Sequence, residues 1–242
     1  MGSTEIILTI AAFVTSCISG AIGMAGGMLL LTAMLPFFPP TVLIPLHGSV
    51  QLVSNGFRLS LNYKALKKDI FILAFLGSFI GAFFAEKIIW NVQGEYYQLI
   101  LAGFIIFITW MPKFRNSWNF PGRFFILGGF SSFASIVFGI TGPLLAPFFL
   151  SENLRPQQIV ATKASIQFVG HILKLSIYAY SGFAFHQYFH ILVPMILAVL
   201  LGTWLGKKLL FKMNEKLFKL IFKWVITAVA SYILFKTLYG LI

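Results

Sequence analysis

Acidic side chains are scarce in this chain, where six Asp and Glu stand against eighteen Lys and Arg in 242 residues. The six are Glu5, Asp69, Glu86, Glu95, Glu152 and Glu215, all near the ends of apolar segments. No two carboxylates are spaced for acid and base work, and no acidic cluster can hold a metal ion. One cysteine, Cys17, excludes an intrachain disulfide and any multi-cysteine metal or redox site. P-loop, HExxH and GxSxG patterns are missing, so nothing points to ATP coupling or covalent catalysis. No enzyme, metal or cofactor is expected. The first apolar run has neither a basic stretch before it nor a small-residue cleavage site, so no cleaved leader is expected.

What the chain has in abundance is apolar length. Hydrophobic residues make up 59% and charged residues 10%, with a mean hydropathy of +0.90, which no soluble globular domain matches. Runs long enough to cross a hydrocarbon core of roughly 30 Å follow one another, and the alternation of a membrane β-barrel is absent. The fold class expected is an all-α polytopic membrane protein of about eight hydrophobic segments. The net charge of +12 comes mostly from short loops between the runs. It reads as a topology signal and not as a nucleic-acid surface.

The chain repeats itself at an offset of 116 residues. Ser16 and Ser19 fall on Ser132 and Ser135, Gly23 and Gly26 on Gly139 and Gly142, Leu29 on Leu145 and Pro40 on Pro156. Ser49, Gln51, Val53, Leu59 and Ser60 then fall on Ser165, Gln167, Val169, Leu175 and Ser176. After an insertion, "GSFIG" at 77–81 resembles "GTWLG" at 202–206. A single transport domain of residues 1–242 therefore divides into repeat 1 (1–115) and repeat 2 (116–242).

Each repeat opens with an apolar stretch, 5–35 or 123–150, that would be roughly 40 to 47 Å long as one helix, too long for one span. Both are interrupted by the matched glycines. Three ordinary spans follow each: 41–62, 70–89 and 96–112, then 157–180, 188–206 and 217–239. If each opening stretch is a broken hairpin that enters and leaves on one side, the basic loops at 64–68, 113–123 and 207–219 share the cytoplasmic side. The nearly uncharged loops at 36–40 and 181–190 then face outward. A single crossing would place Lys207, Lys208, Lys212 and Lys216 opposite Lys64, Lys67 and Lys68. The hairpin arrangement gives each repeat an odd number of crossings, so the two are inverted. That is the architecture of many secondary transporters, whose substrate sites lie near the midplane where the breaks meet.

In the span after each hairpin, His47, Gln51, Asn55 and Arg58 share one helical face, and Lys163, Gln167, His171 and Lys174 occupy the same register positions in repeat 2. Such groups are costly within a bilayer and usually face a bundle interior or a watery cavity. With no acid at comparable depth, an incoming anion is the natural counter-charge. Other roles stand beside this one: Arg58 and Lys174 can snorkel to an interface, Gln51 and Gln167 can tie helix to helix, His47 can be a packing residue, and Lys163 can sit near the cytoplasmic surface. The breaks "GMAGGM" and "GITGPL" add freed backbone N–H groups at helix N-termini, where an anion is favoured. Candidate substrate-binding residues are therefore Gly23, Gly26, His47, Gln51, Asn55, Gly139, Thr141, Gly142, Lys163, Gln167 and His171, with Arg58 and Lys174 attracting the anion. Thr15, Ser16, Ser19, Ser131, Ser132 and Ser135 can ligate substrate or satisfy backbone carbonyls. His47, His171 and His186 can titrate near physiological pH.

The break "SGAIGMAGGMLL", its echo "SIVFGITGPLLAPFF" and the helix "ATKASIQFVGHILKLSIY" together resemble the sulfite exporter TauE/SafE family of membrane proteins. The resemblance covers essentially the whole chain. It implies a carrier for small sulfur-containing anions such as sulfite or sulfonates in the cytoplasmic (plasma or inner) membrane, with about eight transmembrane segments. Two departures make the half-sites chemically unequal: Pro143 stands where the first break has Gly27, and Lys163 where the first stripe has His47.

The function expected is transport of a small sulfur-containing anion by alternating access, the site lying between the two hairpins. Alternatives are an anion channel or facilitator, a carrier of another small oxyanion or carboxylate, and a membrane enzyme or sensor. Expected partners are the small anionic substrate and the lipid bilayer, without nucleic acid, and the sequence is compatible with a homodimer.

Overall fold

In the computed structural model, which describes residues 2–22, 26–89, 94–111, 120–150, 154–208 and 215–241, every regular element is helical. The first apolar stretch forms α1 (Ser3–Ile22) and α2 (Gly26–Met34), followed by α3 (Pro40–Asn62), α4 (Lys68–Ile89) and α5 (Gly94–Trp110). The second forms α6 (Arg123–Phe138) and α7 (Gly142–Leu150), followed by α8 (Pro156–Tyr180), α9 (Phe189–Lys208) and α10 (Glu215–Leu241). The six ordinary spans read from sequence stand within two residues of α3, α4, α5, α8, α9 and α10.

Both long stretches break where their glycines are. At the second break Gly139 adopts a left-handed φ of +73° and donates its N–H to the Ser135 carbonyl at 3.0 Å, a glycine cap that stops α6. Thr141 then starts α7, its carbonyl accepting the Leu144 N–H at 3.1 Å. At the first break Gly23 lies outside the described residues, but Gly26 shows that α2 folds back along α1. A side chain there would strike the Thr15 carbonyl and Ser19. Pro40 and Pro156 each occupy the first turn of the next helix, where a missing N–H costs nothing.

The packing is built on glycine. α4 lies against α6, with Gly77 on the Phe125 carbonyl and Gly81 on the Gly129 carbonyl. α9 lies against α1 in the same way, with Gly202 on the Phe13 carbonyl and Gly206 on the Cys17 carbonyl. Within each pair the contacts advance together along both chains, so the paired helices run parallel. α3 and α8 cross antiparallel in the middle: Gly48 stands beside Lys174 and Gly56 beside Phe168. α5 packs on α10, where the Trp110 indole N–H donates to Thr227 Oγ1 at 2.8 Å and its ring meets Trp224 edge-on at 5.4 Å.

Polarity is inverted relative to a soluble protein. Ile72, Phe75, Phe79, Phe83 and Phe84 of α4 are exposed, while His47, Gln51, Asn55, Lys163, His171 and Lys174 are buried. Exposed apolar faces of this extent suit lipid and not water. Three helical stretches among the described residues, Ser3–Gly20, Lys68–Ile89 and Phe185–Gly206, are long and apolar enough to cross a membrane, with shorter apolar helices at Tyr96–Trp110 and Arg123–Phe138. At 23 and 25 residues α3 and α8 are also long enough to span. Their mean hydropathy is lowered by the polar stripe they turn inward.

Candidate functional site

The polar stripes of α3 and α8 meet the two breaks around one cavity. Its walls include His47, Gln51, Asn55 and Arg58 from α3, Lys163, Gln167 and His171 from α8, and Gly139, Ile140, Thr141 and Gly142 from the second break. Ser19, Gly27 and Met28 close it on the side of the first break. The volume open to the centre of a water molecule is about 30 Å³, room for roughly two waters at about 15 Å³ each. No acidic residue is among its lining as far as the described residues go.

The breaks are tied to the stripes by side chains. His47 Nε2 lies 2.8 Å from the Gly27 carbonyl oxygen, which can only accept, so Nε2 carries the hydrogen. Gln51 packs directly on Gly27. In the other half Gln167 Nε2 donates to Thr141 Oγ1 at 2.6 Å. Each glutamine thus reaches from its long helix to the start of a short one.

Because α3 and α8 are antiparallel, their basic groups gather at two poles. The His47 and His171 rings lie edge-on with centroids 6.5 Å apart, and the stem of Lys174 passes beside Gly48. At the other end Arg58 and Lys163 are near enough for their charges to interact. That pole adjoins the basic loop after α3, since Thr162 Oγ1 accepts the Lys67 backbone N–H at 3.1 Å. Arg58 does not snorkel outward. Its Nη2 donates to Ser54 Oγ at 2.9 Å, one turn back on its own helix.

Several polar atoms here are buried without a hydrogen-bond partner: His47 Nδ1, Asn55 Oδ1, Arg58 Nε, His171 Nδ1 and Lys174 Nζ, with Ser132 Oγ and Ser135 Oγ on α6 nearby in sequence to the break. Each such atom costs about 1–3 kcal/mol when left unpaired, more when charged. A cluster of them marks a place where something polar belongs. Four of the five are nitrogens of basic side chains that donate to, or can be protonated to meet, an anion.

The sequence matches the family described as Sulfite exporter TauE/SafE over residues 8–233. The chain belongs to the TauE/SafE family. No curated protein and no solved structure matches it. Family membership and the exposed apolar helices make this TauE/SafE chain an integral membrane transporter.

Of the residues expected at the TauE/SafE site, ten line the cavity: His47, Gln51, Asn55, Arg58, Gly139, Thr141, Gly142, Lys163, Gln167 and His171. Gly26 is turned to α1 and is not among the lining, and Lys174 lies behind it, fully buried. Lys163 is 6% exposed, which removes it from the surface position its place in α8 allowed. Sequence reasoning missed Gly27, which lines the cavity and holds His47. The repeat hid it, because its counterpart is Pro143.

Proposed function

We propose that this protein carries a small sulfur-containing anion, sulfite or a compact sulfonate, across the cytoplasmic membrane, binding it in the cavity between the two breaks and the stripes of α3 and α8. The observation that carries this reading is the set of buried, partnerless basic nitrogens around a cavity whose described lining holds no carboxylate. An anion of three or four oxygens meets donors from both helices at once, offsetting their desolvation. The free N–H ends of α2 and α7 add partial positive charge from the other side. A cavity this small favours compact anions over long-chain ones and a carrier over an open pore.

The inverted arrangement of residues 1–115 and 116–242 is part of the proposal. Two hairpin repeats with three crossings each leave α3 and α8 antiparallel, whereas four crossings each would leave them parallel. The contacts of Gly48 with Lys174 and Gly56 with Phe168 support the first. So does the exchange of partners, in which the third long helix of each repeat packs on the first helix of the other through matched glycines. Alternating access then follows from movement of one half against the other around the fixed site.

Two experiments test the reading. Purified protein titrated with sulfite, sulfate, thiosulfate and methanesulfonate is expected to bind at least one sulfur oxyanion in preference to chloride; binding none of them would sink the proposal. In a cysteine-labelling scan, positions in 181–190 should react from outside the cell and positions in 207–219 only after permeabilisation. The opposite pattern would reject the hairpin topology.

A further inference from the structure

We infer that each anion enters the site together with one proton, held on Nδ1 of His47. The inference rests on the anion site proposed above and adds what is carried with the anion. It follows from hydrogen-bond bookkeeping at one imidazole. The Gly27 carbonyl oxygen, 2.8 Å away, fixes the ring hydrogen on Nε2. A neutral imidazole has only one such hydrogen, so Nδ1 carries a bare lone pair. That atom is buried and has no partner, and the residue lines the cavity.

An oxyanion presents lone pairs as well. Two acceptors facing each other repel, so an anion oxygen bonds to Nδ1 only when a proton lies between them. Solvent supplies it: Nδ1 forms an N–H bond, the ring becomes a cation and donates to the anion oxygen. On release the proton leaves Nδ1 as the anion departs. No other bond changes, and the imidazolium cancels one unit of the anion's charge during passage.

The surroundings make the proton conditional on the anion. From α8 the ring faces His171 edge-on, and the stem of Lys174 passes beside Gly48, the residue that follows His47. α2 contributes only the Gly27 carbonyl, and α3 itself contributes Gln51 one turn on. The parts of α1 and of the second break that line the cavity are uncharged. Among the described residues α5 and α6 bring no charged side chain to the lining, and the basic groups of α9 are at its two ends in sequence. Arg58 and Lys163 occupy the opposite pole. A positive charge on the His47 ring, beside the basic Lys174 and in a cavity whose described lining holds no carboxylate, is balanced only while the anion is present.

The test uses methanesulfonate, the anion of a strong acid, which brings no proton of its own. Calorimetric titration near neutral pH, in two buffers of different ionisation enthalpy, gives the protons taken up per anion bound. The intact protein is expected to take up about one proton, and His47→Gln about none, with binding weakened roughly tenfold. Glutamine can replace the Nε2–H bond to Gly27 but offers nothing in place of Nδ1. His186→Gln, at an exposed position outside the cavity, should retain the uptake. Binding by the intact protein without proton uptake overturns the inference and leaves the transporter reading standing. Uptake that persists in His47→Gln, or that is lost in His186→Gln, overturns the assignment to His47. Absence of binding by methanesulfonate, sulfite and thiosulfate alike overturns the site and the inference together.

Discussion

Gly81→Leu and Gly206→Leu are each expected to prevent recovery of folded protein in detergent, while Gly103→Leu is recovered normally. At Gly81 a β-carbon would occupy the space of the Gly129 carbonyl, and at Gly206 that of the Cys17 carbonyl. These neighbours are main chain, so no rotamer change relieves the clash and the helices must separate. Over-packing of a well-filled core costs about 1–3 kcal/mol even where side chains can give way, and total stabilities are only about 5–15 kcal/mol. Leucine adds three further carbons at a seam where close approach is itself the source of attraction between helices in lipid. Gly103 has nothing within 4 Å of its missing side chain, so the same substitution there adds apolar surface and no clash. Size-exclusion profiles and thermal melts of the three variants decide the matter. A Gly81→Leu protein that elutes and melts like the parent would refute the close contact.

Lys163→Met is expected to weaken anion binding by roughly ten- to hundredfold, the loss of one charge-assisted hydrogen bond of about 1.5–3 kcal/mol. The empty protein should be no less stable for it. Methionine fills much of the same volume, and removing a buried charge that has no acidic partner among the described residues relieves repulsion with Arg58. The two readouts should therefore move apart, affinity falling while the melting temperature holds or rises. A parallel fall in both would mean that Lys163 supports the fold and does not hold the ligand. Unchanged affinity would remove it from the site.

The helices were legible because their signals are local. Long apolar runs, prolines at 40 and 156 and glycines near 23–27 and 139–142 fix where helices begin and stop, whatever surrounds them. The stripe on α3 and α8 was legible for the same reason, since spacings of four, four and three stay on one face. The partners of each helix were not legible. That Gly77 and Gly81 meet α6, and Gly202 and Gly206 meet α1, is decided by the main chain of another helix, and a glycine pair does not name its partner.

Lys174 is a similar case. It matches Arg58 in the repeat, yet only Arg58 lines the cavity. Arg58 is held by Ser54 one turn before it, while the position one turn before Lys174 is Gly170, which has no hydroxyl to offer. The stem of Lys174 goes instead to the space left by Gly48. Gly27 escaped because its part is played by a carbonyl, a group every residue has. Only the path of the chain brought it to His47.

The pairing of α1 with α9 has a consequence for synthesis. α1 leaves the ribosome long before α9, and the glycine face it requires is in "GTWLG" at 202–206, far along the chain. The partners α4 and α6 stand much closer in sequence, and loop closure between them comes earlier and at smaller entropic cost. Until α9 is made, α1 therefore waits in the bilayer with the Phe13 and Cys17 surface open to lipid or to another nascent chain. α1 is inserted well before the helix it docks on exists, and the interval between the two is when this protein is most open to misassembly.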